Sequence, residues 1–309
     1  LSAFVPLPTP LRFVDTRDGT GGSKARLGPD GVRRVPIAGQ GPIPASGVTA
    51  VVANVTAVEA TEATYFTVYP GGSALPATSN INVGGWGKPT PNLVTVGVGL
   101  DGSIEVANKF GRAHLLVDVF GYFTGDTSRA ADHFVPLVPK RLFDTRTGQG
   151  VAEGPLGHLD PIEIAVADRA GVPSDATAVV INLTATEPDA PGFLRLTPAG
   201  QEPAATSNVN FFEGDTVPNL VIVSLGTGGK VLLDSAGNSK HAVGDVFGYF
   251  TTGAGDRLRA VAPRRLLDTR EGLGAQRRGV GPDHRIDVMV RRRAGVPDGA
   301  SAVVLNVAA

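Results

Sequence analysis

The sequence contains no cysteine, one tryptophan and one methionine among its 309 residues. Without cysteine the chain forms neither a disulfide framework nor a thiolate metal site. No apolar run reaches the roughly 18 residues that a membrane helix needs. No stretch shows the 3.6-residue apolar stripe of an amphipathic helix. We therefore expect a chain without membrane insertion that is built mainly of β-strands.

Glycine and proline, by contrast, are abundant, with 41 and 24 residues respectively. Together they make up about a fifth of the chain, which is typical of many turns joining short strands. The apolar fraction of 42% is ordinary for a protein with hydrophobic cores.

A six-residue pattern that ends in Asp-Thr-Arg occurs three times, at residues 12–17, 141–146 and 265–270. A fixed internal period indicates tandem copies of one unit. Further blocks recur in the same order around the first two copies. They are 4–7 with 134–137, 51–57 with 179–185, 77–82 with 205–210, 91–94 with 218–221, and 118–123 with 245–250.

The repeats predict three units joined by short polar linkers. The units span residues 1–125, 134–252 and 260–309, and the linkers span 124–133 and 251–259. The third unit reaches only the strand that carries Asn54 in the first unit and Asn182 in the second. Half a β-sandwich leaves strand edges unpaired, so we expect either that the unit is truncated there or that a partner completes it.

Apolar and β-branched residues alternate or run together over short stretches bounded by Gly, Pro, Asn and Asp, which is the strand signature. Residues 65–69, 93–98 and 103–106 fit this pattern. The nearly continuous apolar run at 115–120 predicts a strand buried on both faces. Several short strands with regular turns suggest a β-sandwich or a closed barrel. We predict an all-β protein of tandem β-sandwich, jelly-roll-like domains.

The ordered blocks Phe-Val-Pro-Leu, Asp-Thr-Arg, Ala-Thr-Ser-Asn-x-Asn, Pro-Asn-Leu-Val and Asp-Val-Phe-Gly-Tyr-Phe resemble a tandem β-repeat domain of secreted and cell-surface actinobacterial proteins. The resemblance covers nearly all of residues 4–250 and the half-unit that follows. In such proteins similar units occur in arrays, sometimes beside cell-wall hydrolase modules. The resemblance implies an extracellular or cell-surface location and a non-catalytic accessory or structural role.

Each Asp-Thr-Arg triplet places a carboxylate and a guanidinium on one face of a strand, because residues i and i+2 share a face. Such pairs fix a corner of each unit, or the arginines bind an anion or a glycan, since Arg grips carboxylates in a bidentate way. We favour structural charge pairs. They are Asp15 with Arg17, Asp144 with Arg146, and Asp268 with Arg270.

Two further acids, Asp118 and Asp245, lie inside apolar strands, four residues after His114 and His241 respectively. Four residues along a strand span about 13 Å, too far for direct contact, and one recurring histidine is too few for a zinc site. No nucleophile and base recur together, so we predict no enzyme activity, metal or cofactor. We expect both acids to be buried and paired with an arginine, and hypothesise that the arginine is that of Asp-Thr-Arg.

Uncharged polar side chains cluster in the Thr-Ser-Asn-x-Asn and Pro-Asn blocks. Such side chains commonly tie loops to nearby backbone. The alternative is that they bind sugar hydroxyls, with Trp86 as a stacking face, although Phe212 or Glu213 stands near that place in the second unit. The candidate polar ligands are Thr78, Asn80, Asn82, Asn92, Thr206, Asn208, Asn210 and Asn219.

The net charge of −1 conceals an asymmetry. Residues 1–256 hold 17 basic and 24 acidic residues, whereas residues 257–309 hold 11 arginines and 5 acids. Opposite charge in the two regions favours head-to-tail contacts between chains, which give a fibre when they do not close. The basic region lacks interleaved aromatics, so nucleic-acid binding is not expected.

These features predict a non-catalytic extracellular structural protein, either a stalk of units extended like a rod or a filament component of a bacterial surface. Its partners are then further copies or other surface proteins. The alternative is a cell-wall or polysaccharide-binding module for adhesion or anchoring. In a sharper version of the first hypothesis, strands of a neighbouring subunit complete the half-unit at 260–309.

Overall fold

A computed structural model of the chain describes residues 1–84, 87–128, 130–203, 206–237, 239–261 and 263–308. Within these residues the first unit contains eight strands. They are β1 (Ala3–Asp15), β2 (Val32–Pro36), β3 (Val48–Val58), β4 (Thr64–Pro70), β5 (Ile81–Val83), β6 (Thr90–Gly97), β7 (Ser103–Asn108) and β8 (His114–Thr124).

These strands form two antiparallel four-stranded sheets, in the orders β1-β8-β3-β6 and β2-β7-β4-β5. The chain crosses repeatedly from one sheet to the other, so neighbours in a sheet are distant in sequence. An eight-stranded double sheet with this order is a jelly roll. The structure therefore confirms the predicted all-β, jelly-roll-like β-sandwich.

The second unit repeats this fold strand for strand. Its sheets have the orders β9-β16-β11-β14 and β10-β15-β12-β13. One 3₁₀ turn lies at Thr227–Gly229. The strands are β9 (His133–Asp144), β10 (Ile162–Ala165), β11 (Ala176–Pro188), β12 (Gly192–Pro198), β13 (Val209–Phe211), β14 (Thr216–Ser224), β15 (Lys230–Ala236) and β16 (Ser239–Thr251).

Each unit encloses its own apolar core between its two sheets. The runs at 65–69, 93–98, 103–106 and 115–120 lie in β4, β6, β7 and β8, as predicted. Strand β8 is buried on both faces. Leu115, Val117 and Val119 belong to the core of the first unit, whereas Phe120 belongs to a third cluster that lies outside this core.

The third cluster joins the two units. Phe4 and Phe123 of the first unit meet Phe250 of the second, with ring centroids 4.4 Å apart for Phe4 and Phe250. Burying an aromatic side chain of this size contributes about 1.5–3 kcal/mol. The prediction of a rod of separate units on short linkers is therefore wrong for these two units, because their sheets pack against each other.

The glycine of the Asp-Val-Phe-Gly-Tyr-Phe block makes this packing possible. A Cβ on Gly121 would lie 2.5 Å from the ring of Phe4, and one on Gly248 would lie 2.5 Å from the ring of Phe134. No side chain fits at such a distance, so only glycine lets the aromatic ring lie over the neighbouring strand.

The third unit is irregular over the part that the structure describes, 263–308, where no strand is assigned. Its Asp-Thr-Arg turn nevertheless forms, with a bridge between Asp268 and Leu273. The predicted strand around Asn306 is not assigned as a strand, and Val304 and Val307 on either side of it are exposed.

Candidate functional site

The Asp-Thr-Arg corners have the same geometry in all three copies. Asp15 accepts hydrogen bonds from the backbone N–H of Arg17 at 3.0 Å, from its Nε at 2.9 Å and from its Nη2 at 2.7 Å. Asp144 and Arg146 repeat these three distances. The Arg146 guanidinium lowers the pKa of Asp144 to about 2. In each corner the aspartate and the arginine thus form a charge pair with each other at the end of a strand.

The partner of Asp118 is Arg12, not Arg17 as hypothesised. Arg12 donates from Nε at 2.8 Å and from Nη2 at 3.0 Å to the two carboxylate oxygens of Asp118, and from Nη1 at 3.2 Å to Asp15. Strands β1 and β8 place Arg12 directly opposite Asp118. Arg17 lies beyond the end of β1, so it reaches only Asp15. Burial raises the pKa of Asp118, against the pull of Arg12.

Asp245 corresponds to Asp118 and pairs with Arg141 in the same way, at 2.6 Å. It is not buried as predicted, because its side chain is 26% exposed where that of Asp118 is 2% exposed. The two units have equivalent internal contacts here, so the difference arises from what covers each unit on the outside.

The two matched histidines are structural hydrogen-bonding groups. Thr16 Oγ1 lies 2.9 Å from His114 Nδ1 and accepts a bond from the backbone N–H of Leu115 at 2.9 Å. Thr145 and His241 repeat the contact at 3.0 Å. Burial, assisted by the Arg26 guanidinium, lowers the pKa of His114. The threonine of each Asp-Thr-Arg triplet thus ties β1 or β9 to the strand that ends the unit.

Four of the candidate asparagine ligands hold the loop before β5 or β13. Asn80 Oδ1 accepts the backbone N–H of Val68 at 2.7 Å, and Asn92 Nδ2 donates to the carbonyl of Asn80 at 2.7 Å. In the second unit Asn208 accepts from Leu196 at 2.6 Å, and Asn219 donates to Asn208 at 2.7 Å. These amide groups are committed to intramolecular bonds.

The other four candidates differ in exposure. Thr206 is buried and Thr78 is half-buried, and the carbonyl of Thr78 accepts a bond from Thr67 at 2.5 Å. Asn210 accepts a bond from Ser207 at 3.1 Å, while Asn82 is exposed on β5. Trp86, the predicted stacking face, lies outside the described residues.

A polar group on the outer faces joins the first two units, and we call it the Asn54 seam. Asn54 donates to the carbonyl of Ser207 at 3.0 Å and accepts from Asn219 Nδ2 at 3.0 Å. Asn219 Oδ1 in turn accepts the backbone N–H of Leu93 at 3.0 Å. Asn54 is buried in the middle of β3, and both of these side-chain hydrogen bonds go to the second unit.

The same contact recurs between the third unit and the first, and we call it the Asn306 seam. Asn306 donates to the carbonyl of Ser79 at 2.8 Å and accepts from Asn92 Nδ2 at 3.2 Å. Asn306 corresponds to Asn54, Ser79 to Ser207, and Asn92 to Asn219. The third unit therefore contacts the first as the first contacts the second.

Three pairs of backbone hydrogen bonds join the three units in a closed cycle, and we call them the collar. Phe4 exchanges two bonds with Asp132 at 2.8 and 2.6 Å, and Phe134 exchanges two with Asp256 at 3.0 and 2.7 Å. The third pair, between Ser2 and Leu258, has distances of 2.9 and 2.8 Å. Counted back from each Asp-Thr-Arg aspartate, Leu258 holds the place of Phe134.

The collar thus joins unit one to unit two, unit two to unit three, and unit three to unit one. A head-to-tail contact that closes in this way generates a ring. The segments predicted as linkers supply one of the two residues in each pair. Leu258 also packs, with Phe134, against the aromatic cluster around Phe4, so the apolar members of the collar meet at the centre of the ring.

A hydroxyl anchors each entry segment to its own unit at equivalent positions. Thr49 donates to Ser2 at 2.7 Å, and Thr177 donates to Asp132 at 2.6 Å. Ser301 donates to Asp256 at 2.5 Å. The third copy of this contact forms even though 260–309 holds only half of a unit.

The sequence analysis missed Asn54, Asn306 and the collar. The available signal was an asparagine at the same place in three otherwise apolar strand sequences. An amide in such a position is expensive to bury unless a partner satisfies it. The partner lies in another unit, so no pattern within one unit identifies it.

No cluster of three or more metal-binding side chains occurs within the described residues. Nor does any helix among them have the length and apolar character that crossing a membrane requires. One cleft beside the collar is lined by Asp126, His133 and Arg257, where Arg257 Nε lies 3.2 Å from His133 Nε2.

Comparisons with known proteins add the following. No family model matches the chain, and no curated protein matches it. Among solved structures, the N-terminal CBM22-1–CBM22-2 tandem domain of Paenibacillus barcinonensis Xyn10C is similar at 10% identity and a TM-score of 0.20, covering 79% of this chain and 98% of that one. The STIV MCP is similar at 9% identity and a TM-score of 0.20, covering 78% and 96%.

Proposed function

We propose that this protein is a non-catalytic structural and interaction module, in which two β-sandwich units and the irregular third unit form one ring-shaped body. The observation that carries the proposal is the collar, because three equivalent pairs of backbone bonds hold the units in one closed arrangement. The polar side chains that a binding site would need in large part form hydrogen bonds within loops and between units instead. On this proposal the protein contributes a rigid shape and performs no catalysis.

The proposed location is outside the cell, at a bacterial surface. Its support is the resemblance of the five ordered sequence blocks to repeats of secreted and cell-surface actinobacterial proteins. Fractionation of the source cells tests it. Recovery in the medium or cell-wall fraction is expected, and recovery only in the cytosol contradicts it.

Assembly between chains is proposed to run through charge. The arginines of residues 257–309 include exposed Arg277 and Arg278, and the rest of the chain is acidic. Such contacts weaken as salt rises, because exposed charges more than about 10 Å apart are screened at 0.1 M ionic strength. Light scattering at low and high salt therefore tests self-association. The variant Arg277→Gln with Arg278→Gln is expected to reduce it, and an unchanged mass at all salt concentrations contradicts it.

Glycan binding is the second function to be tested, because Asn82 is exposed on β5 and free of the loop ties that occupy Asn80 and Asn92. A pull-down on peptidoglycan and insoluble polysaccharides separates the two functions. The structural proposal expects no saturable binding. If binding is saturable, is lost in Asn82→Ala and is retained in Asn306→Ala, the structural proposal is wrong and the protein is a glycan-binding module.

A further inference from the structure

The outer face of the second unit differs from that of the first, although the sequences and strands correspond. Phe120 is 5% exposed, whereas Phe247, its counterpart, is 40% exposed. Asn54 is buried, whereas Asn182 is half-buried and makes no side-chain hydrogen bond within the described part of the chain. Together with Asp245, these residues form one open patch, which we call the Asn182 face.

The covered counterpart shows what the Asn182 face is built to contact. Phe120 lines a cleft with Leu196, Pro198 and Ile222 of the second unit. Asn54 bonds to Ser207 and Asn219 of that unit. The covering surface is therefore the Ser-Asn block, the strand β12 that precedes it, and the strand β14 that contains the Pro-Asn block.

The ring fixes which unit belongs there. The Asn54 seam runs from unit one to unit two, and the Asn306 seam from unit three to unit one. The collar contact between Phe134 and Asp256 already places unit three next to unit two. The seam still unmade is the one from Asn182 to unit three.

We propose that the Asn182 face binds the second half of the third unit, that is, strands equivalent to β4 to β8 with their own Ser-Asn and Pro-Asn blocks. Asn182 donates to the backbone of that Ser-Asn block and accepts from the amide of the Pro-Asn block. Phe247 packs against the strands equivalent to β12 and β14. The interaction surface completes the ring described under the proposed function and rests on it.

A second copy of the chain does not fit the face in the same way. The Ser-Asn block of its first unit is occupied by its own Asn306, and that of its second unit by its own Asn54. Both surfaces that match the Asn182 face are already covered within each chain. Among the repeats, the matching surface left uncovered is therefore that of a second half of the third unit.

The absence of cysteine makes the face easy to probe, because one introduced thiol is the only one present. Thiol reactivity with a maleimide is measured in the 309-residue chain carrying Phe247→Cys, with Phe120→Cys as the covered control and Val138→Cys as the exposed control. The same substitutions are placed in two extended chains. One carries a copy of residues 58–125 after Ala309, and the other carries a copy of residues 186–252.

In the 309-residue chain, Phe247→Cys is expected to react as fast as Val138→Cys and at least roughly ten-fold faster than Phe120→Cys, because labelling follows local exposure. In an extended chain its reaction slows to the rate of Phe120→Cys, while Val138→Cys stays fast. Replacing the asparagine that corresponds to Asn92 in the added copy by alanine partly reverses the slowing.

Two outcomes overturn the proposal. In one, neither extension slows Phe247→Cys although Phe120→Cys remains protected, which shows that the contact between units one and two is intact and the face takes nothing from the repeat. In the other, Phe247→Cys is already protected in the 309-residue chain and the protection grows with concentration, so that a second copy is the occupant. Neither result depends on glycan binding or location, which test the proposed function separately.

Discussion

Leu258 and Ser2 exchange two backbone hydrogen bonds, at 2.9 and 2.8 Å, although they lie 256 positions apart in the sequence (258 − 2). The contact joins the third unit to the first. All three head-to-tail contacts between units are therefore made within one chain. A closed relation yields a body of finite size, where an open one would yield a growing fibre. Any polymer of this protein must therefore grow through surfaces other than the collar.

The shared aromatic cluster predicts that a substitution within it loosens both of the first two units. Phe250→Ala is expected to destabilise the protein by about 3–5 kcal/mol, because it empties a packed site between Phe4 and Phe134. Amide exchange should rise in β3 of the first unit as well as in β11. Phe211→Ala, inside the second unit's own core, is the matched control and should leave exchange in β3 unchanged. Equal effects on β3 from both variants would contradict the shared cluster.

The seams predict opposite costs for two corresponding asparagines. Asn54→Ala is expected to lower the free energy of unfolding by about 1–3 kcal/mol, because it leaves one N–H of the buried Asn219 amide without its acceptor. Asn182→Ala should change it by less than about 0.5 kcal/mol, as for an ordinary surface position. Urea unfolding measures both. Similar losses from the two substitutions would show that the Asn54 seam carries no stability of its own.

Much of one unit could be predicted from the sequence. Alternation and apolar runs identified β4, β6, β7 and β8, because each of these strands buries a face inside its own unit. The double burial of residues 115–120 was also predicted, but its cause, the second unit lying against β8, was not.

The arrangement of units could not be predicted, because it depends on contacts between segments without a shared pattern. Leu258 replaces the phenylalanine of the other two copies. The first copy also holds one more residue between Phe4 and its aspartate, which β1 absorbs as an irregularity between Pro6 and Leu11. The collar is made by backbone groups, which any residue supplies, so the sequence of the linkers carries no mark of it.

The two arginine–aspartate pairs predict a further contrast. Arg12→Ala is expected to destabilise the protein by about 3–5 kcal/mol, because it leaves Asp118 buried without a counter-charge. Arg141→Ala removes the same contacts from half-exposed Asp245 and should cost about 1 kcal/mol or less. Loss of the guanidinium also raises the pKa of Asp118, so Arg12→Ala should be less damaging at pH 4 than at pH 7. Equal losses from the two variants, or a loss independent of pH, would argue against this account.

The Asp-Thr-Arg corners predict a stability that falls in acid. The pKa of Asp144 is about 2 in the folded chain, against an ordinary value of 3.8, because the Arg146 guanidinium bonds to the carboxylate. The unfolded chain therefore takes up this proton first as the pH falls. The stabilisation is fully present above the unfolded value and is lost between about pH 4 and pH 2.

Asp144→Asn is expected to lower the free energy of unfolding by about 1–2 kcal/mol at pH 7, after allowance for solvent screening, and by much less at pH 2. Chemical unfolding at a series of pH values measures the difference, with Glu202→Gln as a control on an exposed acid. The wild-type curve should be steeper than that of Asp144→Asn only below pH 4. If the two curves stay parallel down to pH 2, the pKa of Asp144 is not lowered in the folded protein, and the acid sensitivity arises from other groups.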